Sequence, residues 1–352
     1  MAAKGLTIIG SGPALTTIGA IRPPSIPFLP PVDTLILRGL TITPYFSSGP
    51  FQTTVDCPIH VEDASWLHVE DCVLVGTGRT CGAWLVDVRH ASFVRCELVG
   101  ASGSNPILGG YADAVPALDV RSGLFPQASV LLHDCTLRGG DGFGNLSFVT
   151  GGAGGHALFA SNARVLSFGS TFQGGDSGPA QPGSGGLPGS GAHLVLNASI
   201  QHQGSTFVPG IDPAPGTSIA PPFLLETNST EVPVPGTPAL LETSGKTPSG
   251  QVATLSLTGE PGSMAALLLG SPFPFFDVPG VLGQLVMSAP LAVVVLPPLP
   301  ASGNWSVSLS IPALPSGVLA ASAGVQAYVI PPSGGPIALT NLSVATGVAP
   351  GL

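Results

Sequence analysis

The 352-residue chain has very little charge, and only two of its residues are lysines. Lys and Arg together number 10, charged residues make up 8% of the chain, and the formal net charge is −9. A protein that binds the nucleic-acid backbone needs a basic patch to replace the counterions on the phosphates. The composition therefore predicts that nucleic acid is not a partner.

The chain also lacks a long uninterrupted apolar run, although 44% of it is hydrophobic. The stretch 261–352 carries a single charge, Asp277, but Pro or Gly interrupts it every few residues. A membrane-spanning helix needs about 20 consecutive apolar residues, so we predict no membrane span. No export signal is visible before the strand-like segment 5–10, and we expect a leader upstream of the given start.

What the chain has in quantity is Gly (49) and Pro (38), about a quarter of its residues. Disordered chains combine low hydrophobicity with high charge, which is the reverse of this composition. Many short strands joined by Gly and Pro turns fit it better. We therefore predict an all-β protein.

Four segments repeat the same spacing without gaps: 57–76, 81–100, 155–174 and 190–209. Their offsets are 24 or 35 residues, so a fixed strand part alternates with a connection of variable length. Apolar and polar residues alternate with a period of two, as in strands. The repeat predicts stacked coils that share one interior. The aligned columns are Val61, Leu85, Phe159 and Leu194; Leu67, Ala91, Val165 and Ile200; Cys72, Cys96, Ser170 and Ser205; and Leu74, Leu98, Phe172 and Phe207.

A family resemblance rests on two matching steps, Asp71-Cys72-x-Leu-x-Gly and Arg95-Cys96-x-Leu-x-Gly. It also rests on HDCTLRGGDG at 133–142 and on two glycine-rich loops at 139–155 and 174–191. The chain resembles right-handed parallel β-helix repeat proteins of secreted, planctomycete-like bacterial type. The resemblance covers about 230 residues and implies a fold. It implies no single activity, because this fold serves lyases, hydrolases, adhesins and spacers.

The repeat fades after residue 226, and VPVPGTP at 232–238 is a plausible linker. We therefore predict a right-handed parallel β-helix over 1–232 and a small β-sandwich over 233–352. Turn residues separate the later strand-like runs at the spacing of a sandwich, and the pattern resembles a C-terminal module whose presence implies attachment, sorting or end-capping. The runs are 252–257, 265–269, 281–287, 291–296, 305–311, 325–330 and 337–344.

Charge concentrates between Asp56 and Asp141, where 20 of the 36 Asp, Glu, Lys, Arg and His residues fall. One interpretation is a salt-bridge ladder of Asp71, Arg95 and Asp134 on successive coils. The other is a polysaccharide site with a groove lined by His60, Glu62, Arg89 and Asp119, which His68, Glu70 and His90 could extend. The candidate ligand face is His60, Glu62, Trp84, Asp87, Arg89, Asp119 and Arg121. Trp84 is expected to share an outward column with His60, Leu158 and His193. No residue is assigned as catalytic.

Five cysteines stand at 57, 72, 81, 96 and 135, without metal-ligand spacing. The 24-residue offset predicts that Cys57 stacks on Cys81 and Cys72 on Cys96, either as disulfides or as buried thiols. Gly139–Gly142 resembles one copy of a calcium-binding nonapeptide turn, which normally needs tandem copies. We therefore expect no cofactor, with Ca²⁺ as the alternative.

These observations favour an extracellular or cell-surface structural or adhesive protein without catalytic activity. One alternative is a polysaccharide lyase, hydrolase or epimerase, or a carbohydrate-binding protein, that uses the charged face of 56–141. The other is a self-assembling fibre subunit, since an uncapped first coil would present a free strand edge. The expected partners are thus an extracellular polysaccharide or a second copy of the chain.

Overall fold

The computed structural model describes residues 5–10, 12–14, 16–19, 34–43, 57–62, 66–104, 113–123, 127–144, 151–179, 186–213, 219–244, 246–287, 292–316, 318 and 320–349. The chain divides into two compact units, Met1–Pro233 and Val234–Leu352. The described residues contain strands, bends and turns and no helix, so no described segment is a helix long and apolar enough to cross a membrane.

The first unit consists of three parallel sheets, to which each full coil contributes one strand. Sheet A holds β1 Gly5–Ile9, β3 Thr34–Arg38, β6 Trp66–Glu70, β9 His90–Val94, β12 Ala128–His133, β15 Ala163–Phe168, β18 Ser199–Gln203 and β21 Thr230–Pro233. Sheet B holds β2 Thr17–Ile18, β4 Thr41–Ile42, β7 Val73–Val75, β10 Glu97–Val99, β13 Thr136–Arg138, β16 Thr171–Gln173 and β19 Thr206–Val208. Sheet C holds β5 Ile59–Glu62, β8 Ala83–Val86, β11 Leu118–Arg121, β14 Leu158–Ser161, β17 Ala192–Val195 and β20 Phe223–Leu225.

From residue 57 onward the chain visits sheets C, A and B in turn, and each strand pairs in parallel with its equivalents in neighbouring coils. The inward side chains of all three sheets form one apolar interior along the stack. This is a parallel β-helix, and the predicted all-β fold is confirmed. Burying one continuous core through stacked neighbours is what stabilises coils that could not bury their apolar faces alone.

Three of the four predicted columns are confirmed, and one is wrong at a single position. Leu85 pairs with Val120, which pairs with Ala160, so Ala160 and not Phe159 continues the inward column. Phe159 instead lies in the outward column of Trp84, where Leu158 had been expected. The reason is that the coil 155–174 has one residue fewer between its sheet C and sheet A strands.

The corner between sheets A and B has the same backbone in every coil. A residue with positive φ precedes each corner; these residues are Gly39, Asp71, Arg95, Asp134, Gly169 and Gly204, with φ between 50° and 64°. From Asp71 onward the next side chain is Cys or Ser, whereas Leu40 follows Gly39. Four of these five side chains donate to the carbonyl two residues earlier, as Cys72 does to Glu70 (3.2 Å) and Ser170 to Phe168 (3.3 Å). Cys and Ser can replace each other in this column because both satisfy the same buried carbonyl.

The glycine-rich loops form a second stack of extended backbone beside the sheets. Gly155 N donates to Gly140 O, Gly175 N to Gly155 O, Gly189 N to Gly175 O and Gly210 N to Gly189 O, each at 2.8 Å. A Cβ added at Gly155, Gly175, Gly189 or Gly210 would overlap a backbone carbonyl of a neighbouring segment. Glycine is required here because the backbones approach too closely for any side chain.

The second unit is a β-sandwich. Sheet D has the order β22 Leu240–Thr243, β24 Val252–Thr258, β29 Asn304–Ser310. Sheet E has the order β23 Lys246–Pro248, β32 Ser343–Val348, β30 Ala320–Ile330, β25 Met264–Gly270, β28 Ala292–Val295, with β31 Ala338–Leu339 on β30. A hairpin of β26 Pro272–Asp277 and β27 Gln284–Met287 completes the described strands. Leu255 and Leu257 of sheet D pack with Leu267, Val325 and Ala327 of sheet E in a separate core.

Several sandwich strands differ from the runs expected in the sequence. The expected run 281–287 begins as a strand only at Gln284, and Leu291 lies outside the described residues. The run 337–344 is two strands, β31 and β32, and β22, β23 and β26 were not expected. Pro272 opens β26 and Pro248 closes β23, which is why composition argued against strands there.

Candidate functional site

The outward side of sheet C carries most of the candidate ligand face. His60, Trp84, Asp119, Phe159 and His193 lie one above another, each on the next strand of the sheet. We call these five residues the outer column. Trp84, Phe159 and His193 are partly exposed, whereas His60 (5%) and Asp119 (7%) are buried by their neighbours. The column is therefore a strip of four rings and one carboxylate, in which Trp84, Phe159 and His193 reach solvent best.

At one end of the outer column a histidine stacks on a tryptophan. The rings of His60 and Trp84 are 4.5 Å apart and inclined by 12°. His60 Nε2 lies 2.7 Å from Glu62 Oε1, two residues along the same strand. These three predicted residues are brought together, and the contacts join two neighbouring coils.

In the middle of the outer column a carboxylate and a guanidinium form a two-pronged ion pair. Arg121 Nε lies 2.8 Å from Asp119 Oδ1, and its Nη2 lies 2.7 Å from Asp119 Oδ2. This hydrogen bond raises the pKa of Arg121. The Arg121 guanidinium also lies over the Phe159 ring, 5.1 Å from its centroid. The ion pair of one coil and the Phe159 ring of the next coil therefore stabilise each other.

Asp87 and Arg89 lie at the corner between sheets C and A and not on a strand. Asp87 has φ 51°, and its Oδ1 accepts a hydrogen bond from Gly123 N at 2.8 Å. Arg89 is exposed. The other residues considered for a lyase site lie on a different sheet, because His68 and His90 belong to sheet A. His90 stacks on Trp66 there at 4.7 Å.

The other end of the outer column is a directional hydrogen-bond chain. Ser190 N donates to His156 Nδ1 at 2.9 Å, which leaves the proton of a neutral His156 on Nε2. That Nε2 lies 3.2 Å from His193 Nδ1, and His193 Nε2 lies 2.9 Å from Glu226 Oε1. Burial and the neighbouring His193 lower the pKa of His156 to about 4. Each imidazole therefore donates toward Glu226.

A buried ionic network occupies the outward side of sheet A near its corner. Arg95 Nη2 lies 2.7 Å from Glu70 Oε1 and Arg95 Nε lies 2.7 Å from Asp71 Oδ1, while Arg38 Nε lies 3.4 Å from Glu70 Oε2. The predicted pairing of Asp71 with Arg95 is confirmed. Burial alone would raise the pKa of Glu70, but His68 at 3.6 Å and the two arginines lower it to about 2.

Next to this network lies a neutral buried histidine, His133. It is 1% exposed, its ring stacks on Phe168 at 4.4 Å, and burial together with the Arg95 charge lowers its pKa to about 3. Asp134, the third member of the expected ladder, is exposed. The outward side of sheet A is thus shielded from solvent at Glu70 and His133, although the alternating sequence pattern suggested a wet face.

All five cysteines are buried thiols, and none of them forms a disulfide. The Sγ atoms of Cys57 and Cys81 lie 3.4 Å apart on neighbouring coils. Cys96 donates to Val94 O at 3.3 Å, as the other cysteines of the corner column do to the carbonyls two residues before them. Burial raises the pKa of Cys72 to about 12. A thiol with so high a pKa is a packing group and a poor nucleophile.

The GGDG and GGDS sequences at 139–142 and 174–177 are equivalent steps of the glycine stack. Asp141 Oδ1 accepts from Asp176 N at 3.0 Å, and Asp176 Oδ1 accepts from Ile211 N at 2.9 Å. Asp141 Oδ2 lies 3.1 Å from Arg138 Nη2. Among the described residues no three or more His, Cys, Asp or Glu side chains form a group that could hold a metal ion.

The expected groove residues lie on two parts of the coil. His60, Glu62 and Asp119 share sheet C, while Arg89 lies at the corner beyond it. Sequence reasoning placed His193 in the outward column, and the register confirms it, but it missed Phe159 and Glu226 as parts of the face. Phe159 enters the outward column because of the one-residue deletion in the coil 155–174.

Comparisons with known proteins add little. No protein-family profile matches the chain, and no curated protein matches it. Among solved structures, the chain is similar to the enzymatically active domain of tailspike protein 4 of bacteriophage CBA120, with 10% identity and a TM-score of 0.19. The alignment covers 89% of this chain and 61% of that chain. So low a TM-score supports no conclusion, and the fold stands on the sheet topology described above.

Proposed function

We propose that this protein is a non-enzymatic structural or adhesive β-helix displayed outside the cell. The observation that carries the proposal is that the polar groups of the candidate face contact one another. His60 Nε2 lies 2.7 Å from Glu62 Oε1, and Asp119 forms an ion pair with Arg121. A general acid or base must exchange a proton with its substrate, whereas these groups stabilise one another and the rings stacked between coils.

Location outside the cell is part of this proposal. It is supported by the resemblance to secreted β-helix repeat proteins and by a composition with two lysines in 352 residues. A β-helix of this kind would act as a rigid spacer, because every strand between the two ends of each sheet is fixed by the coil before and the coil after it.

A turnover assay tests the absence of catalysis. The protein is incubated with a panel of acidic and neutral polysaccharides, and release of reducing ends and of unsaturated uronate ends is followed. We expect no turnover above the value with buffer alone. Turnover that falls when Arg89 or His60 is replaced by alanine would establish the enzymatic alternative instead.

A second candidate function is binding of a carbohydrate polymer along the outer column. It is favoured by the partly exposed rings of Trp84 and Phe159, which lie on the same side of sheet C with one strand between them. Aromatic rings that are partly exposed can contact a sugar. The strand spacing of about 4.8 Å would place successive contacts along a linear chain.

Affinity electrophoresis in gels that contain each polysaccharide tests this second candidate. Trp84→Phe should weaken the retardation of the protein if the outer column binds the polymer. The matched control is Trp66→Phe, which alters the equivalent histidine–tryptophan stack on sheet A. Equal retardation of the two variants and the unaltered protein would rule out the outer column as the binding strip.

A further inference from the structure

The sandwich unit has an open sheet edge with few of the features that usually block strand pairing. β28 (Ala292–Val295) is the last strand of sheet E, and within the described residues no strand pairs with its far side. All four residues are exposed, with Val293 at 56%, Val294 at 46% and Val295 at 80%. Natural edges are commonly protected by short length, charge, proline or bulges; β28 is short, but it contains no charge, proline or bulge.

β28 and the strand positions that face it also carry no charge. No Asp, Glu, Lys, Arg or His occurs after Asp277, and the neighbouring positions on β25 are Ala266 and Leu268. An uncharged edge cannot select a partner by opposite charge, so recognition must rest on backbone hydrogen bonds and apolar contact.

The hydrogen-bond pattern decides which groups of β28 are available. Leu296 N donates to Ala265 O at 2.9 Å, so Leu296 faces β25. Backbone direction alternates along a strand, so Val294 also faces β25, and Val293 and Val295 present their N–H and C=O groups to the open side.

We propose that two copies of this chain associate through β28, as an antiparallel pair about a two-fold axis that passes beside Val294. In this register Val293 of one copy lies opposite Val295 of the other, and Val295 of the first copy lies opposite Val293 of the second. Both are hydrogen-bonded pairs, so all four outward groups of each copy are satisfied by the same four groups of its partner. The match is complete because the edge is complementary to itself.

The pairing is short. Pro297 and Pro298 follow the strand and have no N–H to extend it. A contact of this length buries less than the roughly 1,000 Å² typical of stable complexes, so the dimer is expected to form in the micromolar range or more weakly. It is also closed by its symmetry, unlike the open-ended stacking of first coils considered for a fibre.

Sedimentation equilibrium of the full chain over a range of concentrations tests the proposal. We expect reversible dimerisation of the unaltered protein. Val295→Pro removes an N–H that faces the open side and leaves the bonds to β25 in place, so it should abolish the dimer. Val293→Lys should do the same, and its control is Val252→Lys, since Val252 is 57% exposed on sheet D.

A cross-link locates the axis. Facing non-hydrogen-bonded residues in an antiparallel pair have Cα atoms about 4.5 Å apart, within disulfide range. Air oxidation of the Val294→Cys variant, with copper phenanthroline as catalyst, should therefore give a covalent dimer joined at residue 294, and the Val252→Cys variant should not. A monomer at every concentration, or a Val294→Cys variant that stays uncross-linked while the protein dimerises, would overturn the proposal.

Discussion

Acidification should destabilise the β-helix unit well above the pH at which its carboxylates titrate. Buried His133 has its pKa lowered from 6.5 to about 3, so the folded protein holds it neutral while the unfolded chain binds a proton. Stability is then fully present above pH 6.5 and is lost as the pH falls from 6.5 toward 3. At pH 5 the loss from this group is about 2 kcal/mol relative to pH 8.

Two other titratable groups determine the pH range over which this effect can be measured. His156, with a pKa lowered to about 4, adds a loss over the same interval. Glu70 has its pKa lowered from 4.5 to about 2, so its stabilising contribution is lost only as the pH falls from 4.5 toward 2. The range from pH 8 to pH 5 therefore reports on the histidines alone.

The variant His133→Phe isolates the effect. Its column neighbours are Val94 and Phe168, so a phenyl ring fits an apolar site and keeps the stack. Urea unfolding followed by near-ultraviolet circular dichroism gives the free energy of unfolding at pH 8 and pH 5. We expect the variant to lose about 2 kcal/mol less than the unaltered protein over this range.

The control is Phe168→Leu, which removes the ring stacked on His133 and adds no titratable group. It should lower stability equally at both pH values. A pH dependence in His133→Phe identical to that of the unaltered protein would refute the assignment of His133 as a neutral buried group.

Three further predictions follow from the stacking contacts. Arg95→Ala should destabilise the β-helix by roughly 3–5 kcal/mol in urea unfolding, because it leaves the fully buried Glu70 carboxylate with less compensation; a cost below about 1 kcal/mol, typical of exposed pairs, would contradict this. Gly155→Ala should cost at least about 1–3 kcal/mol because its Cβ meets a carbonyl, whereas a Cβ at Gly123 meets nothing within 4 Å, so Gly123→Ala should be near neutral in thermal unfolding. Mild oxidation should join Cys57 to Cys81, since their sulfurs are 3.4 Å apart on neighbouring coils; peptide mapping that finds both thiols unoxidised would disprove it.

Much of the fold was accessible from the sequence because coils of a solenoid repeat their apolar columns. The columns through Leu67, Leu74 and Cys72 are correct, since no insertion or deletion falls within the sheet A and sheet B strands. The Phe159 position failed because spacing alone cannot place a one-residue deletion at a corner. Only the register of β11 and β14 shows where it falls.

The burial of the outward faces was harder to predict from the sequence. The alternation at His68 and Glu70 predicts two faces of a strand, yet it cannot tell which of them is shielded, and here both are. The glycine loops show the same difficulty in another form. GGDG at 139–142 resembles a calcium-binding turn in sequence, and only the hydrogen bond from Asp176 N to Asp141 identifies it and GGDS at 174–177 as one repeated step.

The most direct test of the stacked-coil account is a cross-link within the outer column. In the double variant Asp119→Cys with Phe159→Cys, the two residues are register neighbours on parallel strands about 4.8 Å apart, within disulfide range. Mass-spectrometric peptide mapping after oxidation should find residues 119 and 159 joined within one chain. Failure of this pair to form, with residue 159 joined to position 84 in the variant Trp84→Cys with Phe159→Cys, would contradict the register on which the face depends.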